Sequence, residues 1–252
     1  MARRKKQINE FEEAVEKYLP FILEIRKRLL FTFAIFLLFA ILGFIYYETL
    51  IGLLLKIFNL EGVNIVFTSP FQFLSLAVNT GILVGGLVVF PLLVFQILTF
   101  LRPALKDREF KTIVSLIPLS TLLFIGGFSF GVVMMRYVII LFYEKTVQLD
   151  IGNFLDISLL VSQILSTSLL MGIAFQFPIF ITLVIRLGIL DYNFFSSKRP
   201  FAYAISLIFA TLLPPTDLFS LVLLTLPLIL LFEVTLLLNR VFARKVAAPA
   251  FQ

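Results

Sequence analysis

The sequence predicts an all-α, polytopic membrane protein with six transmembrane helices and both termini on the cytoplasmic side. Three observations carry that expectation. Of 252 residues, 60% are hydrophobic and the mean hydropathy is +1.07, well above the roughly 45–50% apolar content of soluble domains. The apolar residues form continuous blocks instead of alternating, which favours spanning helices over a barrel. With six crossings, 18 of the 21 Lys and Arg residues fall on the side that holds both ends, and an excess of cations marks the cytoplasmic side.

Residues 1–20 are expected to form a cytoplasmic, charged arm, because Ile8, Phe11, Val15 and Tyr18 recur at helical spacing on an otherwise charged segment. Pro20 is expected to break it. Residues 21–240 then form the six-span domain, and 241–252 a cytoplasmic tail. The first span covers 29–47, and 48–70, with Gly52, Gly62 and Pro70, reads as a structured cap on the far side. The second span covers 73–101, with a kink expected at Pro91. The third, 112–143, is about 48 Å long as a helix and so must tilt, kink at Pro118 or project; its Gly127 and Gly131 would permit close helix packing.

An acidic outer loop, 144–156, precedes the fourth span at 157–185. Ser162, Gln163, Ser166, Thr167, Ser168 and Gln176 make this span polar, so it is expected to face protein or a wet cavity. Two further apolar pieces, 201–213 and 219–239, follow the inner loop 186–200. The first covers only about 20 Å as a helix, less than the hydrocarbon core of about 30 Å.

Composition removes several functions. There is no cysteine and no histidine, which excludes thiolate chemistry and the commonest general base and metal ligand. Asp217 and Glu233 form no evident catalytic pair, so no enzymatic activity, cofactor or metal is expected. The net charge of +6 sits at helix ends, which argues against nucleic acid. The acidic residues Glu10, Glu12, Glu13 and Glu16 that follow the first cations argue against a cleavable signal. With no tryptophan, tyrosines such as Tyr46, Tyr47, Tyr137 and Tyr143 are left as interfacial anchors.

The most informative stretch is RPALKDREFK at 102–111. No charged residue occurs between Glu61 and Arg102, or between Lys111 and Arg136, so this island joins two spans as a water-facing loop. Glu109 lies there among cations, as Glu24 does beside Arg26, Lys27 and Arg28. Spacing alone leaves two readings of these acids: neutralisation of local charge, or acceptance of cations from a partner.

Several motifs in order resemble the TatC family, the core subunit of the twin-arginine, Sec-independent protein translocase. LEIRKRLL at 23–30 is similar to the family's N-terminal motif, and TSPFQF at 68–73 to its outer segment. Phe90-Pro91, Gln96, Phe100, PAL at 103–105 and Glu109 match its second span and first inner loop. GIAFQFP at 172–178 resembles the fourth-span motif, and KRP at 198–200, Pro214-Pro215, Asp217, Ser220, Pro227 and Phe232-Glu233 the last two spans. The chain departs from the family at Gln176, where Glu is frequent, at Arg136, and in the spacing of Pro215-Thr216-Asp217.

The resemblance implies a concave, glove-like bundle that binds the twin-arginine signal peptides of folded precursor proteins at its cytoplasmic face. It assigns Glu24 and Glu109 to the paired arginines, a match that suits the planar donor fork of a guanidinium. Arg26 and Arg28 are either part of that site or anchors to lipid headgroups. Gln96, Gln176, Asp217 and Glu233 are the candidate intramembrane polar contacts, either to small single-span TatA- or TatB-type partners and the peptide, or within the bundle. Membrane lipids and further copies of the chain are the other expected partners, in a bacterial cytoplasmic membrane or a plastid thylakoid. The competing reading is a secondary transporter of a small solute or ion, with the polar fourth span and Glu233 as its path; no internal repeat supports it.

Overall fold

The computed structural model describes residues 2–58, 64–66, 69–100, 102, 107–148, 154–214 and 217–247. Nine helices and one short strand pair are found among them. The helices are α1 (Ala2–Ile45), α2 (Tyr47–Phe58), α3 (Gln72–Phe100), α4 (Asp107–Gln148), α5 (Ile157–Ala174), α6 (Phe177–Arg186), α7 (Tyr192–Ser197), α8 (Arg199–Thr211) and α9 (Leu218–Ala247). Five segments are long and apolar enough to cross a membrane: Ile22–Ile45, Gln72–Ile97, Val114–Thr146, Ile157–Arg186 and Leu218–Val241. At 13 residues, α8 falls short of that length and is the sixth apolar piece.

The proline-containing segments behave differently from one another, and each case has a local cause. α1 continues through Pro20 instead of breaking there. A proline removes one hydrogen bond and bends a helix without having to end it, so the expected boundary between arm and first span is absent from the backbone. The side chains of residues 2–18 lie outside the described ones. α3, α4 and α9 likewise run on through Pro91, Pro118 and Pro227. Only at Pro178 does the fourth span divide, into α5 and α6, with Phe175 and Gln176 as a turn between them. Pro178 sits in the first turn of α6, where its missing N–H costs nothing.

The outer cap expected at 48–70 contains α2 and the strand β1 (Asn64–Val66). β1 pairs in parallel with β2 (Phe154–Asp156), which directly precedes α5, with Ile65 opposite Leu155. Asp156 then caps α5 by accepting the Leu159 N–H at 3.0 Å, and its carboxylate also accepts from Gln72 Nε2 at the start of α3. At the other end of the fourth span, α6 closes on Gly188, whose φ of 67° needs no Cβ. The Gly188 N–H donates to Ile185 O and the Ile189 N–H to Val184 O, both at 3.1 Å, which satisfies carbonyls the helix end leaves open.

The spans pack through glycines. A Cβ on Gly131 would lie 2.5 Å from Ser168 Cα, and one on Gly127 2.7 Å from Met171 O, so α4 and α5 touch backbone to backbone as the spacing predicts. The same device joins α1 to α3: Cβ atoms on Gly81 and Gly85 would meet Ala40 O at 2.5 Å and Phe36 O at 2.9 Å. One core cluster gathers Ile51 and Phe58 of α2, Leu76 of α3, Met135 of α4 and Ile164 of α5. Met171, Leu213 and Leu224 link α5 to the last pair, and Ile181, Phe232 and Leu236 join α6 to α9. The outward faces of the spans carry exposed Leu, Ile and Phe, such as Leu30, Phe33, Leu37 and Ile41 of α1, as a hydrocarbon solvent requires.

Candidate functional site

The start of the apolar stretch of α1 and the C-terminal end of α3 hold a linked set of polar groups. Glu24, Arg28 and Thr32 follow one another at four-residue steps, so they share a face of α1. Arg28 donates from Nε and Nη2 to Oε1 of Glu24 at 3.1 and 2.6 Å. Its Nη1 reaches across to the backbone carbonyl of Gln96 at 2.8 Å, and its guanidinium lies 5.7 Å from the centre of the Phe100 ring. Thr32 Oγ1 lies 2.8 Å from Arg28 O and 2.9 Å from Gln96 Oε1, so one proton serves both acceptors. The α1–α3 glycine contacts bring these helices close enough for the network.

Arg28 is three-quarters buried and Glu24 about half, at 26% and 45% side-chain exposure. The cation is thus held by the protein while the carboxylate keeps an open edge. Arg26 and Lys27 are exposed beside them. Gln96, a candidate intramembrane contact, joins this cluster through both its amide and its backbone carbonyl. Glu109 falls in the first turn of α4, but its side chain lies outside the described residues, as do Pro103, Ala104 and Leu105. Arg102 is described and lies over the Phe110 ring at 5.2 Å.

The other candidate polar residues are bonded within the bundle. Gln176 accepts from Ser120 Oγ and donates from Nε2 to Ser120 O at 3.0 Å, fastening the α5–α6 turn to α4. Glu233 of α9 accepts the Tyr203 hydroxyl at 2.6 Å and lies 3.4 Å from Arg199 Nη2. An acid inside a span is costly unless paired, and α8 supplies that pairing. Asp217 caps α9: its carboxylate accepts the Ser220 N–H at 2.8 Å and the Ser220 hydroxyl at 2.6 Å. It thereby fixes the start of α9. The polar residues of the fourth span are used in the same way: Thr167 and Ser168 are fully buried, with Thr167 donating to Pro214 O and Ser168 to Ile164 O at 2.6 Å.

Reasoning from sequence missed Thr32, Ser120, Tyr203 and Arg199 as partners. Only Thr32 carried a local signal, its four-residue step from Arg28; the others lie on distant elements. Two apolar cavities complete the surface. One of about 340 Å³ is walled by α2, α3, α4 and α5, with the buried Thr80 hydroxyl on its wall lacking a hydrogen-bond partner among the described residues. The other, about 280 Å³, lies beside Gln176 and is lined by Phe177, Ser206 and Leu228. Among the described residues no group of His, Cys, Asp or Glu could hold a metal ion.

Comparison with known proteins gives the arrangement its context. Residues 20–227 match the family described as Sec-independent protein translocase protein (TatC). The chain is 30% identical to the Sec-independent protein translocase protein TatCy of Bacillus subtilis over 233 residues, covering 90% of each. It is 34% identical to TatC of Haemophilus influenzae over 155 residues, 62% of this chain and 60% of that one. The fold matches a crystal structure of the twin arginine translocase receptor TatC with a TM-score of 0.77 at 24% identity, over 86% of this chain and 98% of that one. This chain, a multi-pass membrane protein, is therefore a member of the TatC family of Sec-independent protein translocases.

Proposed function

We propose that the protein binds twin-arginine signal peptides at the cytoplasmic ends of α1, α3 and α4 and, with small single-span TatA- and TatB-type partners, exports folded proteins across a bacterial inner membrane. The observation that carries this reading is the half-exposed carboxylate of Glu24, fixed at the inner end of α1 by Arg28. A carboxylate at a partly desolvated edge accepts a guanidinium more strongly than one in open water. Glu109, on the charged island that begins α4, is the second acceptor of the proposed pair. Arg26 and Lys27 anchor this face to anionic headgroups. Further copies of the chain complete the receptor.

The transporter alternative loses its support in the polar groups themselves. Gln176, Asp217, Glu233 and Thr167 are each hydrogen-bonded inside the bundle, which supports a structural role for them over a solute path. Translocation in this reading is a binding and assembly process with no chemical step.

The test is photo-crosslinking of a twin-arginine peptide to the membrane-embedded protein. Glu24→Gln and Glu109→Gln preserve shape and remove charge. Loss of one charge-assisted bond of about 1.5–3 kcal/mol weakens binding by about ten- to a hundredfold. Each variant is expected to crosslink correspondingly less while still inserting. Undiminished crosslinking in the double variant would remove the site.

A further inference from the structure

α1 is much longer than the span it contains. Its apolar, membrane-crossing stretch begins at Ile22, whereas the helix begins at Ala2 and is unbroken, so residues 2–21 add about 30 Å of helix ahead of the span. Along this extension apolar residues recur at alternating steps of three and four: Ile8, Phe11, Val15, Tyr18, Ile22 and Ile25, with Leu29 continuing the series. This is a seven-residue repeat, with Ile8, Val15 and Ile22 at its first apolar position (a) and Phe11, Tyr18 and Ile25 at its second (d). Between residues 8 and 18 the only other apolar residue is Ala14. A stripe restricted to a and d is the narrow seam of a helix pair, whereas a helix docked on a globular core carries a broader apolar face.

We propose that this seam pairs with the same seam of a second copy of the chain, forming a parallel two-stranded coiled coil on the N-terminal side of the membrane. The inference rests on the reading that several copies assemble, and it names the contact between them. Where the side chains of the seam are described, it stays open: Ile22, Ile25 and Leu29 are 58%, 42% and 58% exposed. α3 takes the neighbouring face of α1 through Arg28 and Thr32, which leaves the seam beside it free for another helix.

The polar residues decide between lipid and a helix as the occupant. Helices that lie on a membrane surface carry Lys and Arg opposite their apolar face. Residues 9–17 carry four Glu against one Lys, which an anionic surface repels. The choice of a second copy follows from direction, charge and shape. Copies inserted in one membrane with one orientation raise their extensions on the same side and in the same direction, so their repeats meet in parallel register without a search, at the high effective concentration that membrane anchoring gives. In that register the positions flanking the seam bring Gln7 beside Glu12 of the second copy and Ala14 beside its Leu19, so no like charges face each other. Ile8, Val15 and Ile22 are all β-branched, and β-branched residues at a favour two strands. Pro20 falls at an outward position (f), and Glu16, whose carbonyl a proline four residues on leaves without a helix donor, falls at another (b), so the defect lies away from the seam.

The chain has no cysteine, so each introduced thiol is the only one present. The experiment compares disulfide formation between copies of the full protein in liposomes under mild oxidation. Phe11→Cys, Val15→Cys and Tyr18→Cys lie on the seam; Asn9→Cys, Glu13→Cys and Glu16→Cys lie outside it. Only seam positions bring two Cα atoms within disulfide reach, and they are expected to crosslink about tenfold faster than the outer three. Adding Val15→Glu to Tyr18→Cys sets two like charges in the seam and is expected to reduce its crosslinking to the level of the outer positions. Copies per particle are counted in parallel by stepwise photobleaching of singly labelled chains. Two or more copies with equal crosslinking at seam and outer positions, or with none at the seam, would overturn the coiled coil and leave the assembly of copies standing. Single copies throughout would remove both.

Discussion

Gln176 shows what a polar side chain costs and contributes inside a span. Its amide both accepts from the Ser120 hydroxyl and donates to the Ser120 carbonyl. In Gln176→Glu an ionised carboxylate lacks the donor and sets a second acceptor against that carbonyl, and keeping the acid protonated at neutral pH has its own cost. The variant is expected to lose about 1–3 kcal/mol of stability, read as a lower unfolding temperature in detergent, while signal-peptide crosslinking at the inner surface stays intact; loss of crosslinking would place recognition deeper than proposed. Asp217→Ala removes the cap of α9 and is expected to cost about 1 kcal/mol by the same measurement. The sequence made both residues legible as polar groups in apolar surroundings. Their partners were not: Ser120 is 56 positions from Gln176, and Arg199, which neutralises Glu233, reads on the sequence as part of an inner loop. A polar residue announces its need for a partner, whereas the identity of that partner is a property of packing.

Helix contacts divide in the same manner. The pair Gly127 and Gly131, one turn apart, signalled close approach, and α5 fills it. The matching spacing of Gly81 and Gly85 carries the α1–α3 contact, but Gly43, their counterpart on α1, stands alone and gives no periodic signal. Gly131→Ala forces a Cβ to within 2.5 Å of Ser168 Cα, so α4 and α5 must separate. The expected cost is about 1–3 kcal/mol. Gly126→Ala is the control, because nothing lies within 4 Å of its added Cβ, and alanine is the better helix former by about 1 kcal/mol in water. Thermal unfolding should therefore rank Gly126→Ala at or above the parent and Gly131→Ala well below it; equal values would mean that the helices are not held at this distance. The β1–β2 ladder was illegible for a different reason. Three-residue strands about 90 positions apart carry no period long enough to detect, and they exist because two outer loops meet once the spans have packed.

At the scale of the whole molecule the open question is how many times the chain crosses the membrane. Five segments meet the length of a bilayer by themselves, while α8, at 13 residues, covers about 20 Å. If α8 turned back without crossing, the C-terminal cations Arg240, Arg244 and Lys245 would lie opposite Arg3, Arg4, Lys5 and Lys6, against the bias that places cations on one side. If α8 crosses, all these groups share the cytoplasmic face. Its packing on α9 supports a crossing, since Tyr203 and Arg199 meet Glu233 from its inner half and Leu213 at its outer end is fully buried. A crossing by so short a helix requires the bilayer to thin around it, at a modest cost per ångström of mismatch. Reporter fusions after Arg108, after Lys198 and beyond Lys245 are therefore expected on the cytoplasmic side. Fusions at Glu61, Asp150 and Asp217 are expected on the opposite side. Reporters at Lys198 and Asp217 on the same side would reduce the count to five crossings, and a cytoplasmic reporter at Asp150 would overturn the orientation of the third and fourth spans.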